Sequence, residues 1–378
     1  MAPTRDTTGI LSTRLQRAAE AATAAGVDAL LVTPGADLRY LVGYQAIPLE
    51  RLTCLVVPAS GDAALVVPRL ERLAAEASGA GDVVKIVTHE ETDDAFALTA
   101  DLVRDALQAE PATVGVADRM WAEQVLRFRA AMPRSEQVTA GSVLRALRLR
   151  KAPAEVDGLR RAAAAIDAVH SRMGEWLRPG RTEREVGRDI AQAIVDAGHT
   201  SVNFVIVASG PNGASPHHHT SDRVIEAGDP VVVDIGGSMP DGYCSDCTRT
   251  YVAGSAPDDE FARYYAVLLE AQQKSCASVR PGVTAQSVDA AARDVIAAAG
   301  YGELFVHRTG HGIGLEEHEE PWIVAGNDTV LEPGMCFSIE PGIYLPGRHG
   351  ARIEDIVAVS ADGVERLDTI DRELVVLG

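Results

Sequence analysis

Five side chains in the C-terminal half have the types and surroundings of metal ligands: Asp234 in VVVDIGG, Asp246 in YCSDCTRT, His311 in HRTGHGIG, Glu340 in FSIEPGIY and Glu354 in ARIEDI. Four carboxylates and one imidazole suit hard or borderline divalent cations, manganese first, with cobalt and zinc as alternatives, rather than an all-thiolate or all-histidine centre. Acids gathered this densely repel one another and resist ionisation unless positive charge compensates them, so the set calls for two ions per chain. Two cations about 3.5–4 Å apart lower the pKa of a shared water and polarise a carbonyl oxygen. Hydrolysis of a peptide or ester is the chemistry that follows, with Glu340 expected to take the proton of the attacking water as general base. A lone Asp or Glu is usually a solvated loop residue. The apolar flanks here (VVV before Asp234, CFSI before Glu340, Ile353 beside Glu354) count against that reading.

Histidines concentrate in two stretches, His217-His218-His219 and HRTGHGIGLEEHEEP, which carries His307, His311 and His318. Glycines between the latter three let backbone approach a ligand closely. One imidazole is expected on metal; His307 and His318 remain to donate to a substrate carbonyl or move protons. The triple histidine also reads as a surface metal tract, and only one of its members need face the site.

The elements that would position these groups fall into two regions. Residues 1 to about 140 alternate helix-like and strand-like stretches, as in LQRAAEAATAAGV then DALLVTP, with no Walker lysine loop and no G-x-G-x-x-G after a strand. This predicts an α/β scaffold domain over 1–145. The helix-rich connector around Pro153 then leads into a second domain over 146–378, with the boundary between 135 and 152. There the order of elements repeats: helices near 154–177 and 183–198 before strands to about 252, then helices near 259–279 and 285–299 before strands to the end. Each pass is expected to end in a hairpin with one acid on each strand, Asp234 with Asp246 and Glu340 with Glu354, the glycine- and proline-containing stretches Gly236-Gly237, Pro240-Asp241-Gly242 and Pro341-Gly342 supplying turns.

Composition sets outer bounds. The 378 residues are 46% hydrophobic and 24% charged, which suits a globular protein of two domains. A formal net charge of −19 argues against nucleic acid or anionic membrane as partner. No apolar run reaches the roughly 20 residues of a spanning helix, and the N-terminal MAPTRDTTGILSTRLQ lacks a signal-peptide core, so a cytoplasmic location is expected. The five scattered cysteines predict free thiols; Cys244 and Cys247 form a C-x-x-C whose side chains, three apart on an extended segment, point to opposite faces.

The ordered motifs D-I-G-G, S-D-x-T-R-T, G-H-G-I-G, S-I-E-P-G-I-Y and R-I-E-D together resemble the pita-bread metallopeptidases, and specifically their prolidase and aminopeptidase P branch. The likeness covers the chain in outline, because that branch carries an N-terminal α/β domain before an α+β pita-bread catalytic domain with a pseudo-twofold repeat. It implies that Asp234 chelates one metal, that Asp246 and Glu354 bridge both, and that His311 and Glu340 bind the other. His217 matches a substrate-side histidine, His307 and His318 match residues that steady the tetrahedral intermediate or handle protons, and Arg352 matches a guanidinium orienting a ligand carboxylate, with Tyr344 beside it. Asp37, in ADLRYL, resembles an N-domain acid that reaches a neighbouring subunit's site, which implies a homodimer. The implied substrate is a short peptide with proline at the second position. An Xaa-Pro amide offers no N–H, so its ring must be read by apolar walls: Phe204, Val205, Tyr344 and Trp322 are the candidates. Many prolidases have a basic residue just after H-E-x-P, where this chain has Trp322. Arg51 and Arg348 are candidate substitutes, and dipeptidase and aminopeptidase readings stay nearly even. A metal-dependent relative cleaving a non-peptide C–N bond, and an inactive binding protein on the same fold, are the alternatives.

Overall fold

The computed structural model describes residues 5–378; the first four residues of the segment expected to lack a signal-peptide core lie outside them. The chain divides into two compact units between Arg148 and Leu149. Among the described residues, no helix is long and apolar enough to cross a membrane.

The first unit is built on a mixed six-stranded sheet in the order β4-β3-β2-β1-β5-β6. Its strands are β1 (Ala29–Val32), β2 (Cys54–Pro58), β3 (Ala64–Pro68), β4 (Lys85–His89), β5 (Thr113–Val116) and β6 (Glu136–Thr139). Six helices accompany them: α1 (Arg5–Ala24), α2 (Ala36–Val42), α3 (Arg72–Ala77), α4 (Ala95–Leu107), α5 (Ala122–Ala131) and α6 (Gly141–Leu149). Strands β1, β2 and β3 are buried at every position. A strand covered on both faces must be apolar throughout rather than alternating, and ALLV, CLVVP and ALVVP are. Helix α4 starts where the Asp94 carboxylate accepts the amides of Phe96 and Ala97, at 3.0 and 3.2 Å. Its Phe96 then meets Phe128 of α5 edge-on, at 4.8 Å between centroids.

The second unit repeats one theme. Helices α7 (Pro153–His170) and α8 (Glu183–Asp196) precede β7 (Ser201–Ser209), β8 (Pro230–Ser238) and β9 (Cys247–Ala253); helices α9 (Asp259–Ser278) and α10 (Ala285–Ala298) precede the remaining strands. These are β10 (Gly310–Gly312), β11 (Glu319–Ile323), β12 (Cys336–Ile339), β13 (Gly342–Leu345), β14 (His349–Arg352), β15 (Asp355–Val359), β16 (Val364–Arg366) and β17 (Val375–Leu377). One sheet runs β17-β9-β8-β7, another β11-β10-β12-β15-β16, and β13 pairs with β14 alone.

Alternation along each strand decides which face carries chemistry. In β8, Val231, Val233 and Ile235 join Ile166 and Val169 of α7 and Val186, Ile190 and Ile194 of α8 in one core. Asp234 therefore points to the other face. In the second sheet Phe337 and Ile339 of β12, with Val357 and Val359 of β15, pack on Cys276 and Val288 of the second helix pair, which leaves Ser338 on the opposite face.

Two expectations need correction. Gly236 and Gly237 are not a turn: both lie inside β8, paired with Phe204 and Val202. A Cβ at Gly236 would come within 2.5 Å of the Ser245 carbonyl and 2.6 Å of the Phe204 ring, so close packing explains that glycine. The turn falls at 239–242, closed by the Gly242 amide on the Met239 carbonyl at 2.8 Å. The expected β8–β9 hairpin forms, with Asp234 inside β8, but the acids of the second pass do not sit on one simple hairpin. Asp246 sits just before β9, Glu340 just after β12 and Glu354 just before β15, with the β13–β14 hairpin inserted between the last two. Asp246, Glu340 and Glu354 thus occupy strand ends, whereas Asp234 lies within the ladder of β8.

All five cysteines are free and buried. Cys247 shares a buried cluster with Asp167 and Asp368, their ligand atoms within 4.8 Å of one another. Asp167 Oδ2 accepts from the Thr369 amide and hydroxyl, and Asp368 Oδ2 from the Ile356 amide, but the Oδ1 atoms of both have no hydrogen-bond partner. Burial, then the charges of Asp355 and Asp167, hold the Asp368 carboxyl well above the usual carboxylate range, so Asp368 keeps its proton. An acid that keeps its proton on folding stabilises fully below its unfolded pKa, about 4, and progressively less as pH rises toward its folded value. Asp368→Asn, which supplies an N–H without titrating, is expected to raise Tm at pH 7 and to remove a decline whose limit is about 1.4 kcal/mol per pH unit for one proton. Thermal melts from pH 5 to 8 check this; a Tm several degrees below wild type at pH 7 contradicts a protonated Asp368.

Candidate metal centre

The site assembles on the faces turned away from the helices. Asp234, Asp246 and Glu354 place ligand atoms within 4.8 Å of one another, as do His311, Glu340 and Glu354, so two donor triads share Glu354. A third grouping joins Asp246, His311 and His318. Each acid is fixed by a separate local device. Glu354 donates its amide to the Thr248 carbonyl at 3.1 Å and accepts the Thr248 hydroxyl on Oε2 at 2.6 Å. Glu340 donates its amide to the Thr309 carbonyl at 2.8 Å and accepts the Ser338 hydroxyl at 3.1 Å. Asp234 Oδ2 accepts from Arg352 Nη2 at 2.5 Å.

His311 is oriented from behind. Its Nδ1 lies 3.1 Å from the Gly312 carbonyl, which fixes the proton there. Nε2 is left facing Glu340 Oε1 at 3.2 Å and Asp246 Oδ2 at 3.6 Å. The His318 ring packs edge-on against it, with centroids 4.0 Å apart.

The electrostatics test whether this donor set fits cations. Burial first, then the charges of neighbouring acids, push Asp246 and Glu354 well above the usual carboxylate range. Burial raises Asp234 as well, although Arg352 opposes it. Glu340 is also raised by burial, but the hydrogen bond and charge of His311, with His307 and Arg352, more than offset this and hold it at about 2. Asp234 Oδ1 and Glu354 Oε1 are buried without any hydrogen-bond partner. Buried anionic oxygens without partners cost about 1–3 kcal/mol each or more; divalent cations would satisfy both at once. The residues present fit such ions.

Arg352 ties the surroundings together. Besides Asp234 it donates to the Thr248 hydroxyl at 3.1 Å, the Pro216 carbonyl at 3.2 Å and the Tyr344 hydroxyl at 2.8 Å. Tyr344 in turn meets His307 Nε2 at 2.9 Å, while His307 Nδ1 lies 2.7 Å from the Arg308 carbonyl. Both His307 nitrogens are thus engaged by the protein, and burial lowers its basicity. His318 is lowered to about 4 by burial and by the charges of His311 and Arg308.

Of the triple histidine, His218 turns into Glu183 Oε2 at 2.9 Å, within a buried network that includes Ser209, Asn212 and Ser221. His217 follows Pro216, whose carbonyl Arg352 holds, and its charge acts on both His307 and His318. His219 is exposed. Phe204 lies on the Asp234 face of the first sheet, opposite Gly236. Its neighbour Val205 does not serve as a wall: it alternates to the other face and packs on the helix-side core. Trp322 pairs across the ladder with His311 and so shares its face. Asp37 lies in the first unit, 3.3 Å from Arg148 Nε. Arg51 and Arg348 are spent on surface acids, Glu91 and Glu260 respectively.

Sequence reasoning missed three residues. Thr248 and Arg249 stood inside the S-D-x-T-R-T motif, and their types were the only signal. Arg249 donates to the Glu354 carbonyl at 2.6 Å and to Asp355 Oδ1 at 2.7 Å, joining β9 to β15. Arg308, discussed below, carried no signal beyond its neighbours.

A catalytic unit of this fold with a buried acid–histidine cluster defines a metallopeptidase, a hydrolase. Residues 157–361 match the model of metallopeptidase family M24, and residues 14–150 that of the creatinase/prolidase N-terminal domain. The chain belongs to metallopeptidase family M24, and its fold is the pita-bread fold with the N-terminal α/β domain of the prolidase branch. It is 52% identical to a probable dipeptidase PepE of Mycobacterium tuberculosis over 97% of both chains, and 37% identical to an Xaa-Pro dipeptidase of Lactobacillus helveticus over 90% of this chain and 92% of that one. The crystal structure of dipeptidase PepE from Mycobacterium ulcerans superposes with a TM-score of 0.91 at 52% identity, covering 98% of each chain.

Arg352→Lys keeps the charge but cannot span four acceptors. It is expected to weaken divalent-metal affinity about 10- to 100-fold, the usual effect of losing a residue that orients a ligand. Metal titration of the apoprotein followed by calorimetry checks this; unchanged affinity would remove Arg352 from the ligand-orienting role.

Proposed function

We propose that the protein is a dinuclear metal-dependent peptidase that hydrolyses the Xaa-Pro bond at the N-terminus of short peptides. The observation that supports this most is the pair of donor triads sharing Glu354, with unpartnered oxygens on Asp234 and Glu354. In this reading Asp234 would hold one ion, His311 and Glu340 would hold the other, and Asp246 and Glu354 would serve both. Manganese is the first choice, cobalt or zinc the next. When bound, the ion pair supplies Lewis acidity toward the scissile carbonyl and a water acidified toward neutral pH.

The chain's own residues do the rest. Glu340 takes a proton from the attacking water as its oxygen adds to the carbonyl carbon. His318, kept neutral by burial, donates a hydrogen bond to the oxygen that gains charge. The proton held on Glu340 passes to the prolyl nitrogen as the C–N bond breaks, leaving a free carboxylate on Xaa and an imino acid at the new N-terminus. His307, engaged at both nitrogens, positions Tyr344 rather than touching the reacting atoms. His217 stands on the substrate side, and Phe204, Tyr344 and Trp322 wall the proline ring. The homodimer belongs to the same reading, with Asp37 reaching the site of a neighbouring protomer. The relatives named dipeptidase and Xaa-Pro dipeptidase support this choice of substrate over a non-peptide C–N bond.

Chelation is expected to abolish cleavage of Ala-Pro and manganese to restore it, with two ions bound per chain at saturation by elemental analysis. Glu340→Gln is expected to lower kcat at least about 10³-fold while at least one ion is retained. Wild-type turnover in that variant would remove Glu340 as the base, and full activity after chelation would overturn the metal reading.

A further inference from the structure

We infer that Arg308 is the residue that reads the C-terminal carboxylate of a dipeptide substrate, making the enzyme a dipeptidase rather than an aminopeptidase of longer peptides. This rests on the Xaa-Pro peptidase reading above. The need is electrostatic: a dipeptide carries its carboxylate only a few bonds from the scissile carbonyl, into a site already crowded with acids. Without a cation there, that end of the substrate is repelled.

Most arginines and lysines around the cluster are committed elsewhere. Arg352 is bound to Asp234, Arg249 to Asp355, and Lys151 to Glu319 at 2.6 Å. Arg308 differs. It is half-buried, and among the described residues it has no carboxylate partner. Its guanidinium carbon stands 4.3 Å from the centroid of the Trp322 ring. Stacking occupies the flat face of the guanidinium and leaves its N–H edge outward, the geometry that grips a carboxylate with two parallel hydrogen bonds.

The location is right on independent grounds. Arg308 adjoins His307 and leads into β10, and Trp322 lies across the ladder from His311. Its charge acts on His318, and it feels the charge of Glu340. Trp322 occupies the position after H-E-x-P where a basic residue was expected. The indole does not replace that cation; it holds another one in place.

The test compares metal-loaded wild type, Arg308→Gln and Arg308→Lys on Ala-Pro and on Ala-Pro-amide, which lacks the carboxylate. Wild type is expected to prefer Ala-Pro. Arg308→Gln is expected to reduce the ratio of kcat/KM for Ala-Pro over the amide by about 10- to 100-fold, the range for losing hydrogen bonds to a charged group, with the loss carried in KM. Arg308→Lys should recover part of that ratio, which a purely structural defect would not allow. An equal loss on both substrates, or an unchanged ratio, overturns the assignment while leaving the peptidase reading intact. Wild type that cleaves neither substrate overturns both. Should Arg308→Gln fail to fold, Trp322→Ala, which removes the stacking platform, is expected to narrow the same ratio, and a preserved ratio would count against the proposal.

Discussion

The structure turns on one electrostatic constraint: four carboxylates and an imidazole, all but Glu340 fully buried, gather in overlapping triads whose ligand atoms lie within 4.8 Å of one another. Removing a charge from water costs several kcal/mol even after relaxation, and bringing like charges together adds to it. Within the cluster the protein offsets this with one guanidinium, Arg352. That is too little for four acids, and the consequence is visible in Asp246 and Glu354, which are pushed toward their neutral forms. A cluster so arranged is poorly suited to stability on its own account. It makes sense as a cage whose missing positive charge is supplied by divalent ions.

Placing such a cage requires a fold that brings distant strand ends together. Each half of the second unit covers one face of its sheet with a helix pair and turns the other face, with its acids, inward. The seam between the halves is polar and specific. Thr248 binds Glu354 through both backbone and hydroxyl, Thr250 accepts the Arg352 amide, and Arg249 bridges to Asp355. These contacts link residues about a hundred positions apart, so the donor geometry exists only when both halves have folded and docked. Asp355 itself is held by Arg249, Arg366 and Gln272 on the helix side, which keeps its charge out of the donor set one residue away.

Much of this was legible in the sequence. The five donor candidates, the α/β character of the first unit and the helix–helix–strand repetition of the second follow from residue types and periodicity. What alternation could not reveal is where strands stop. Asp246, Glu340 and Glu354 were expected on the strands of hairpins, yet each lies one residue outside its strand, with the Glu340 and Glu354 amides bonded instead to the Thr309 and Thr248 carbonyls. Gly236-Gly237 resembled a turn because glycine usually marks one, whereas here it admits the Phe204 ring and the Ser245 carbonyl. The division of labour within His217-His218-His219 depends on Glu183, whose position relative to that loop is set by tertiary packing alone.

The three arginines show how one cation type is used at graded depth. Arg249, behind the sheets, is wholly occupied by protein oxygens and is architectural. Arg352, inside the cluster, divides its donors between the Asp234 carboxylate and the Pro216 carbonyl, which precedes His217. The Asp234 carboxylate and the loop at residues 216–217 therefore share one side chain, and a change at Arg352 disturbs both together. Arg308 is coupled more loosely: it feels the charge of Glu340, but its contact is the face of Trp322 rather than a ligand carboxylate. In the proposed reading, recognition of the carboxyl end of the substrate rests on residues 308 and 322, whose mutual contact orients no ligand of the cluster.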